Sequence, residues 1–415
     1  MAKRIVVIGG GASGMTAACF AAKGGAEVTV LERNKKTCRK VMITGKGRCN
    51  VTNNSTSDNI ISKTPTNGRF LYSAVNFFAP GDVMAFFEEL GVELKTERGN
   101  RVFPVSDKAA DIADALARAA IDSGCRVLTE TRVRSLLIKD NAVCGAALED
   151  GKTVEADGVI IACGGASYPK TGSTGDGYRL ARQAGHTITD IKPSLVPVEC
   201  GGDICARLQG LALKNVALSV YFKDTKKPVF SEQGEMLFTH FGVSGPLVLS
   251  ASSHMKKGKA DDYRFIIDLK PALDIDTLDR RLLRDFDEFS NKDFVNSLGK
   301  LLPAKLIPVV AERSEIFAHK KCNSITKEQR RGLAELLKNF EIKPKDFRSI
   351  DEAIITSGGV KTKEINPKTM ESKLVRGLYF SGEVIDVDAY TGGYNLQIAF
   401  STGALAGSSS ALETE

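Results

Sequence analysis

A glycine-rich turn between two short apolar strands near the N-terminus constrains the fold of this chain more than any other feature. Arg4–Ile8 is a short β-branched run, typical of a buried parallel strand, and Gly9–Gly14 follows it with the pattern G-x-G-x-x-G. The alanine-rich stretch Ser13–Lys23 predicts a helix, Glu27–Leu31 predicts a second strand, and Glu32 stands directly after it. This order predicts a strand–helix–strand unit at the start of a parallel sheet.

The spacing of the glycines matches the chemistry of a dinucleotide site. Gly9 allows the tight turn, Gly11 lets the backbone approach a pyrophosphate, and Gly14 lets helix and strand pack closely. The N-terminus of the following helix offers free N–H groups and the positive end of a dipole to phosphate oxygens. Glu32 is placed to accept hydrogen bonds from ribose hydroxyls, and its charge disfavours a 2′-phosphate. A purely structural turn is the alternative, but strand, helix, second strand and acid are all in register, so we predict a site for the ADP half of a dinucleotide.

Length and composition are those of an ordinary globular enzyme. The chain has 415 residues, of which 42% are hydrophobic and 26% charged, and this length predicts two or three domains. No apolar run approaches the roughly 18 residues that a membrane span needs. The first strand begins too early for a signal peptide to precede it. We therefore expect a cytoplasmic protein without a membrane partner.

Cysteine and histidine usage argues against a metal site and against disulfide chemistry. Nine cysteines are scattered without any C-x-x-C pair, and the four histidines lie far from any cysteines with ligand spacing, so we predict no structural zinc. An odd, unpatterned set of thiols is typical of a reducing compartment. A disulfide reductase would carry C-x4-C soon after the first strand–helix–strand unit, but Thr44 stands five residues before Cys49. Cys200 and Cys205 have that spacing in a later region, where we interpret them as two thiols without a redox role.

The excess of positive charge is concentrated in one segment. The formal net charge is +7, and Lys300–Arg348 alone holds 12 basic and 6 acidic residues. A basic helical stretch poor in aromatic residues is able to touch nucleic acid or an anionic surface. A solvated helical face is the simpler interpretation and the one we favour. A small-molecule substrate is therefore expected and a nucleic-acid partner is not.

The chain is predicted to be an α/β protein whose two ends form one domain around an insertion. The alternation of strand and helix stops near Lys192, and it returns beyond Ile350. The predicted division is a Rossmann-like domain with a central parallel sheet, residues 1–191 and 351–415, and an inserted substrate domain, residues 192–350, β-rich over about 192–270 and helical over about 271–350.

Three predicted strands end in glycine, and together they indicate a cofactor longer than NAD. They are Ile8-Gly9, Ile161–Gly165 and Phe380–Glu383. Ligands lie beyond the carboxyl ends of the strands in a doubly wound sheet, so a cofactor that uses all three ends must extend past the ADP site, as FAD does. Glu383 is placed to bind the ribityl chain or, through the turn amides, the pyrophosphate. A helix predicted from Tyr394 onward points its N-terminal N–H groups at the flavin N1 and C2 carbonyl, where negative charge collects on reduction.

A second G-x-G-x-x-G is absent from the sequence, so we predict no dedicated NAD(P)H domain. The nearest pattern, Gly172–Gly177, has the wrong order and lacks a strong preceding strand. Any NAD(P)H therefore binds transiently as an electron donor, at the flavin face or in a groove near the insertion. The candidates for proton transfer are His240, Tyr168, Tyr390 and Tyr394. Because packing and helix capping also explain these side chains, we assign no catalytic residue.

Several longer motifs resemble those of one known family. The most specific are Thr44–Asn50 (T-G-K-G-R-C-N), Ser167–Pro169, Thr171–Tyr178, Thr239–Pro246, Ser381–Asp388 and Thr391–Gln397. Through these motifs nearly the whole chain resembles the BaiN-like (YhiN-like) FAD-dependent oxidoreductases, within the glutathione-reductase-like flavoproteins. The resemblance implies an FAD domain with an inserted region that is β-barrel-like and helical, in agreement with the break near Lys192.

The resemblance also implies which residues contact FAD. They are Gly9, Gly11, Ala12, Ser13, Gly14, Glu32, Arg33, Lys40, Gly45, Asn50, Val133, Gly164, Glu383, Asn395, Leu396 and Gln397. One departure precedes the basic pair Arg39-Lys40, where such proteins often have glycine and this chain has Cys38. The departure bears on the backbone shape there and on how Lys40 meets the cofactor.

Activities within that family differ. One group resembles reductases of 3-oxo-Δ4,6 bile-acid intermediates, in which hydride from reduced flavin adds to a conjugated enone, and another resembles oxidases of small amines. The leading hypothesis is an NAD(P)H-linked reductase that acts on an activated C=C bond of a hydrophobic oxo-acid of the steroid or bile-acid kind. The alternatives are an amine oxidase that produces hydrogen peroxide, and a flavin-loaded protein that holds RNA or a protein partner through its basic region.

Overall fold

The computed structural model describes residues 2–412, and these form two compact units. The second unit is Leu195–Arg348, and the first comprises the described residues on either side of it. The sequence placed the boundaries at Lys192 and Ile350. Residue 1 and residues 413–415 of the predicted first domain lie outside the described part.

Five strands of the first unit form a parallel sheet within residues 2–412. In sheet order they are Leu378–Phe380, Gly158–Ile161, Arg4–Ile8, Glu27–Leu31 and Arg126–Leu128. Aliphatic side chains dominate these strands because both faces of the sheet are covered, and Val7, Val30 and Ile160 are fully buried. The beginning and the end of the chain meet in this one sheet, so the predicted α/β fold is confirmed.

The first unit also supplies the helices that cover the sheet. Those described are Ala12–Lys23 (the first helix), Ser57–Ser62, Tyr72–Phe77, Pro80–Glu89, Ala109–Asp122, Asp176–Gln183 and Tyr394–Ala411 (the C-terminal helix). Within residues 2–412 no single helix has the length and apolar composition of a membrane span. One bent pair, Gly68–Phe77 with Pro80–Glu89, passes the same test by length and composition alone.

The first helix and the C-terminal helix pack at backbone distance. A Cβ on Gly403 would lie 2.4 Å from Ser13 O, and a Cβ on Gly407 would lie 2.2 Å from Ala17 O. Because the two glycines are four residues apart, they share one face of the C-terminal helix. They form a shallow groove in that face, and the backbone of the first helix lies in it.

Shorter strands surround the parallel sheet. They form two three-stranded sheets, Thr52–Asn53 with Arg101–Pro104 and Leu94–Glu97, and Val133–Lys139 with Ala142–Leu148 and Thr153–Glu155, and one pair, Lys192–Ser194 with Ile355–Ser357. The pair is important because it carries Thr356 to the turn after Ile161. There the Ala166 N–H donates to Thr356 Oγ1 at 2.8 Å.

Leu195–Arg348, all of which the structure describes, is built on an antiparallel sheet. In sheet order its strands are Phe340–Ile342, Tyr263–Asp268, Ala212–Phe222, Phe230–Phe238, Gly242–Ser244, Val198–Cys200 and Pro344–Phe347. The two edge strands are joined by Lys343 alone, so the sheet must curl until its edges meet, which agrees with the predicted barrel-like region. Its α-helices are Ile204–Arg207, Pro246–Ser252, Ile275–Glu288, Phe294–Ser297, Leu306–Arg313 and Lys327–Lys338.

Candidate FAD-binding cleft

A cleft runs along the carboxyl ends of the parallel sheet. It is lined by Ile8–Ser13, Leu31–Asn34, Cys38–Val41, Thr44, Thr131–Val133, Ala162–Gly164, Thr171–Ser173, Asp176, Leu180, Ile354, Ile355, Glu383, Val387, Asn395, Leu396, Ile398 and Ala399. All of these residues belong to the first unit, and they come from both ends of the chain. This is the edge at which doubly wound folds bind their ligands.

The turn Gly9–Gly14 places backbone groups on the wall of the cleft. Gly9 has a φ of +108°, a conformation that favours glycine, and its N–H donates to Leu31 O at 2.9 Å. A Cβ on Gly14 would lie 1.9 Å from Gly9 O, so only glycine allows this approach of helix to strand. A Cβ on Gly11 would meet no atom within 4 Å. Gly11 thus faces open space at the start of the first helix, where a pyrophosphate needs room.

Glu32 is fixed at the end of the second strand by three donors. The Gly10 N–H donates to Oε2 at 2.8 Å, and Asn34 donates its N–H and its Nδ2 to Oε1, both at 2.7 Å. Glu32 is only 6% exposed. A carboxylate offers about four lone-pair sites, so Glu32 keeps acceptor capacity for one more donor, such as a ribose hydroxyl.

Two arginines converge on Asp176, which also lines the cleft. Arg132 binds both carboxylate oxygens, with Nε 3.0 Å from Oδ2 and Nη2 2.9 Å from Oδ1, and Arg33 Nη1 lies 2.9 Å from Oδ2. Burial opposes the charge of Asp176, but the hydrogen bonds and charges of Arg132 and Arg33 outweigh it and hold the pKa of Asp176 below its usual value. Arg33 is thereby fixed next to Glu32.

Lys40 and Glu383 form an ion pair that ties distant segments together. Lys40 Nζ lies 2.7 Å from Glu383 Oε2 and 2.8 Å from Ser167 Oγ. Glu383 Oε1 accepts hydrogen bonds from the Thr356 N–H at 2.8 Å and from Ser167 Oγ at 3.2 Å. The lysine and glutamate side chains are 23% and 19% exposed. We call these four residues the Glu383 cluster.

Cys38 takes a backbone conformation that favours glycine. Its φ is +56°, and its N–H donates to Gly10 O at 2.8 Å, which ties the segment before Lys40 to the glycine turn. Burial raises the pKa of the Cys38 thiol to about 12, so the side chain is not a nucleophile. The cysteine therefore preserves the backbone shape of glycine at a strain of about 1–2 kcal/mol.

The C-terminal helix begins at the cleft. Gly393 has a φ of +97°, and a Cβ there would lie 2.3 Å from the backbone of Thr52. The Asn395 side chain binds Ala389, accepting from its N–H at 3.0 Å and donating to its carbonyl oxygen at 2.9 Å. Asn395 and Leu396 line the cleft, so the first turn of the helix directs its unbonded N–H groups there. The N-terminus of a helix favours negative charge in a bound group.

Comparison with known proteins assigns the whole chain to one family. The model of the HI0933-like protein Rossmann domain matches residues 3–409. This chain belongs to that family. The family is the one that the motifs resemble, so this chain is a flavoprotein with the fold of an FAD-dependent oxidoreductase.

Three curated relatives match this chain over nearly its full length. A 3-dehydro-bile acid delta(4,6)-reductase of Clostridium scindens is 32% identical over 98% of this chain and 99% of its own. The ribosomal RNA dihydrouridine synthase of Escherichia coli is 31% identical over 96% of this chain and 95% of its own. The enzyme of the same name from Haemophilus influenzae is 30% identical over 96% of each chain.

Solved structures share the fold of this chain. The open conformation of a flavocytochrome c3 fumarate reductase has a TM-score of 0.52 and 18% identity, over 99% of this chain and 78% of its own. A 3-ketosteroid delta1-dehydrogenase from Sterolibacterium denitrificans has a TM-score of 0.52 and 14% identity, over 98% of this chain and 99% of its own. At such identities the likeness shows the fold alone.

The cleft fits the FAD that the family implies. The open side of Gly11 leaves room for a pyrophosphate, Glu32 keeps an acceptor for a ribose, and the first turn of the C-terminal helix offers donors for a flavin ring. Of the predicted contacts, those that line the cleft are Gly9, Gly11, Ala12, Ser13, Glu32, Arg33, Lys40, Val133, Gly164, Glu383, Asn395 and Leu396.

Four predicted contacts are not among the residues that line the cleft. They are Gly14, Gly45, Asn50 and Gln397. Gln397 is fully buried; its Oε1 accepts from Thr52 Oγ1 at 2.5 Å, and its Nε2 donates to Phe78 O at 2.9 Å. The Asn50 amide oxygen, oriented toward the Gly393 N–H, accepts from it at 3.0 Å. Asn50 and Gln397 therefore hold the start of the C-terminal helix in position.

Some cleft residues carried no sequence assignment. They are chiefly Asn34, Arg39, Arg132, Thr171–Ser173, Asp176, Ile354 and Ile355. The motif Thr171–Tyr178 did contain a signal for such a role. An acidic residue such as Asp176 does not suit a phosphate-binding turn, so it needs basic partners nearby. Ile354 and Ile355 had no comparable signal in their own segment.

None of the proton-transfer candidates lies among the residues that line the cleft. The Tyr394 hydroxyl accepts from Asn59 Nδ2 at 3.4 Å, which agrees with a capping role. Tyr168 is half-buried, and burial raises its pKa. His240 belongs to the second unit, where its exposed ring lies 5.1 Å from that of Phe241. The catalytic acid stays unassigned.

Proposed function

We propose that this protein is an FAD-dependent reductase that adds hydride to a carbon–carbon double bond conjugated to a carbonyl group. Support comes from relatives that match over nearly their whole lengths, a bile-acid delta(4,6)-reductase and ribosomal RNA dihydrouridine synthases. A 3-oxo-Δ4,6 steroid is a conjugated ketone, and dihydrouridine is uridine in which the ring double bond next to a carbonyl is saturated. The two substrates differ in size and charge, but the bond that is reduced is of one kind.

The observation that carries the proposal is that the N-terminus of the C-terminal helix lies at the cleft. Its first-turn N–H groups, at Asn395 and Leu396, stabilise negative charge on a ring placed against them. FAD, when bound and reduced, supplies the hydride. Asn395 fixes the helix start through Ala389, while Val387, Leu396 and Ile398 add apolar lining that keeps water away.

For the electron donor we propose NAD(P)H, which binds transiently because the sequence carries one glycine motif of the G-x-G-x-x-G kind. Anaerobic stopped-flow mixing of the oxidised protein with NADH and with NADPH measures the bleaching of the flavin band. We expect one of the two to bleach it within seconds. Bleaching by neither would remove NAD(P)H as donor, and chemically reduced protein would still test the hydride step.

The first substrate that we propose is a 3-oxo-Δ4,6 steroid acid. Chemically reduced protein is mixed with this acid without oxygen, and the return of the oxidised flavin band is followed over a single turnover. The fully saturated 3-oxo acid is the matched control, because it has the same size and charge but no double bond to reduce. Re-oxidation by the enone alone is expected, and an unchanged spectrum would reject this substrate.

The second candidate substrate is a uridine within ribosomal RNA, which the charge of the second unit favours. Leu195–Arg348 contains 26 basic and 21 acidic residues, an excess that suits a polyanion. Unmodified ribosomal RNA is incubated with reduced protein, and nucleoside mass spectrometry measures the gain of two hydrogens on uridine. Failure with both RNA and the steroid acid would reject the reductase proposal. Fast production of peroxide from a small amine would favour the oxidase alternative instead.

A further inference from the structure

Half of the twelve basic residues of the helical segment Lys300–Arg348 are held in ion pairs. Arg330 Nε lies 2.9 Å from Asp279 Oδ1, and Lys321 Nζ lies 2.7 Å from Asp293 Oδ1. Further pairs are Arg331–Asp276, Lys338–Asp268, Lys300–Glu288 and Arg348–Glu199. Pairs of this kind cancel most of the local field, so this segment is a poor surface for an anion. Its interpretation as a solvated helical face agrees with these pairs.

Six other lysines of the second unit lie on two loops that the antiparallel sheet brings together. They are Lys223, Lys226 and Lys227, before the strand Phe230–Phe238, and Lys256, Lys257 and Lys259, before the strand Tyr263–Asp268; all are exposed. The Lys223 N–H donates to Asp262 O at 2.7 Å, and the Lys257 N–H donates to Tyr263 Oη at 3.0 Å. Both loops are therefore anchored on Asp262-Tyr263. We call the six side chains the lysine patch.

The two loops carry more lysines than acidic residues. Asp262 binds two residues of the lysine patch. Its Oδ2 accepts from the Lys259 N–H at 2.9 Å, and its Oδ1 lies 3.6 Å from Lys223 Nζ. Asp224 and Asp261 are the other carboxylates of the two loops, so six lysines face three acids. The result is a surface with an excess of positive charge.

We propose that the lysine patch binds the phosphodiester backbone of single-stranded RNA. Lysine ammonium groups act as point charges for phosphates, and several on adjacent loops match successive phosphates along a strand. A lipid surface fits less well, because Val229 is exposed but Phe230, Met255 and Ala260 are buried, which leaves few apolar groups to insert.

The inference rests on the proposed function in one respect, which is that RNA and not another polyanion is named as the ligand. Uridine in ribosomal RNA is the second candidate substrate, and a uridine must leave its paired, stacked state before an enzyme reaches its ring. The lysine patch supplies contacts that depend on phosphate and not on base sequence. It therefore accounts for affinity, while the cleft accounts for the chemistry.

A pair of triple variants tests the lysine patch in the full-length holoprotein. The patch variant is K226Q/K227Q/K257Q, and the control is K327Q/K343Q/K345Q, which removes three exposed lysines and the same charge from the same unit. Fluorescence anisotropy with a labelled single-stranded RNA of about 20 nucleotides measures affinity over a series of salt concentrations. Each lost phosphate contact lowers the slope of log K against log salt by about 0.7, so we expect the patch variant to lose about 2 units of slope and the control none.

Three results would overturn the inference. Equal losses in both triple variants would show that the attraction is spread over the whole unit. Tighter binding of the wild-type protein to phosphatidylglycerol vesicles than to RNA would show that the lysine patch recognises lipid. Re-oxidation of the reduced flavin by the steroid enone does not involve RNA, so a wild-type protein that is re-oxidised normally but does not bind the RNA rejects this inference alone. RNA binding that persists without any substrate reduction rejects the proposed function and leaves the lysine patch standing.

Discussion

Lys40 and Glu383 are 343 positions apart in the chain, and their side chains meet with Nζ 2.7 Å from Oε2. Ser167 bonds to both of them, and the Thr356 N–H donates to the glutamate. The pair therefore joins a loop from the N-terminal part of the chain to the end of the strand Leu378–Phe380. Both charges are mostly buried, so removal of one partner leaves the other without compensation.

Substitution of Lys40 tests how far this pair supports the cofactor. Lys40→Met leaves the Glu383 carboxylate unpaired on the wall of the cleft, and a lost charged hydrogen bond of about 1.5–3 kcal/mol raises the Kd for FAD by about 10- to 100-fold. Lys36→Met, an exposed lysine of the same segment, is the control and retains wild-type affinity. Titration of apoprotein with FAD measures both. The double variant K40M/E383Q should recover part of the loss; equal Kd values for single and double variants would contradict the ion-pair explanation.

Substitutions at Gly11 and Gly14 distinguish an effect on cofactor binding from an effect on folding. The backbone of Gly11, with φ −83° and ψ −171°, suits any residue, and its Cβ would point into the open cleft. Gly11→Ala should leave the melting temperature of the apoprotein unchanged and weaken FAD binding at least about tenfold, because the methyl group occupies the space of the pyrophosphate. In Gly14→Ala the methyl group would lie 1.9 Å from Gly9 O, so the apoprotein itself loses about 1–3 kcal/mol. Thermal unfolding with and without FAD checks both, and a destabilised G11A apoprotein would contradict the assignment.

Gln397 supports the cleft from behind, and its substitution should show this in the absence of cofactor. Gln397→Leu leaves the Thr52 hydroxyl without its buried acceptor, whereas Phe78 O still accepts from Ser401 Oγ at 2.7 Å, so the free energy of unfolding of the apoprotein falls by about 1–3 kcal/mol. Urea unfolding of the apoprotein measures the change. A direct contact with FAD would give the opposite pattern, a normal apoprotein with weak FAD binding, and that result would refute the supporting role.

His186 is a buried titratable group that is not among the residues that line the cleft. Its Nε2 lies 2.8 Å from Ser372 Oγ, its Nδ1 lies 3.3 Å from Glu364 Oε2, and its ring packs edge-on against Phe380 at 4.7 Å. Burial lowers the pKa of His186, and the nearby Glu364 opposes this only in part. The folded protein thus holds His186 neutral at a pH where the unfolded chain already protonates it.

This difference predicts the pH dependence of stability. Below the unfolded value of about 6.5, the unfolded state binds a proton that the folded state refuses, so the free energy of unfolding falls as the pH drops, by at most about 1.4 kcal/mol per unit. Urea unfolding at pH 7, 6 and 5 should show this decline in the wild-type protein and a shallower one in His186→Gln. His240→Gln removes an exposed ring and serves as the control. Identical slopes for H186Q and wild type would exclude His186 as the source.

The part of the site that is formed by residues close together in sequence was predictable. The turn Gly9–Gly14, the strands on either side of it and Glu32 form a local unit, in which each residue type answers a backbone or ligand requirement within a few positions. Gln397 shows that a motif alone does not predict which of its residues face the cleft. Helical residues are about 100° apart, so Asn395 and Leu396 face the cleft while Gln397, two positions beyond Asn395, turns toward Phe78.

Features that depend on non-local pairing were not predictable from a single sequence. Ile354 and Ile355 reach the cleft because the strand Ile355–Ser357 pairs with Lys192–Ser194, and nothing in either segment specifies that partner. The lysine patch arises in the same way, since two loops distant in sequence meet only when Phe222 and Tyr263 align across the antiparallel sheet. The sequence drew attention to the longer basic run Lys300–Arg348, where charge density is high but ion pairs compensate it.

The strand Leu378–Phe380 at the edge of the parallel sheet, and the C-terminal helix that packs on the first helix, have a consequence for biosynthesis. During translation these segments leave the ribosome late, whereas Leu195–Arg348 is continuous and emerges well before them. The nascent chain is thus able to complete its inserted unit while the N-terminal strands still lack their last neighbour. A premature stop shortly before residue 378 would release a polypeptide with a folded insertion and no capacity to retain flavin.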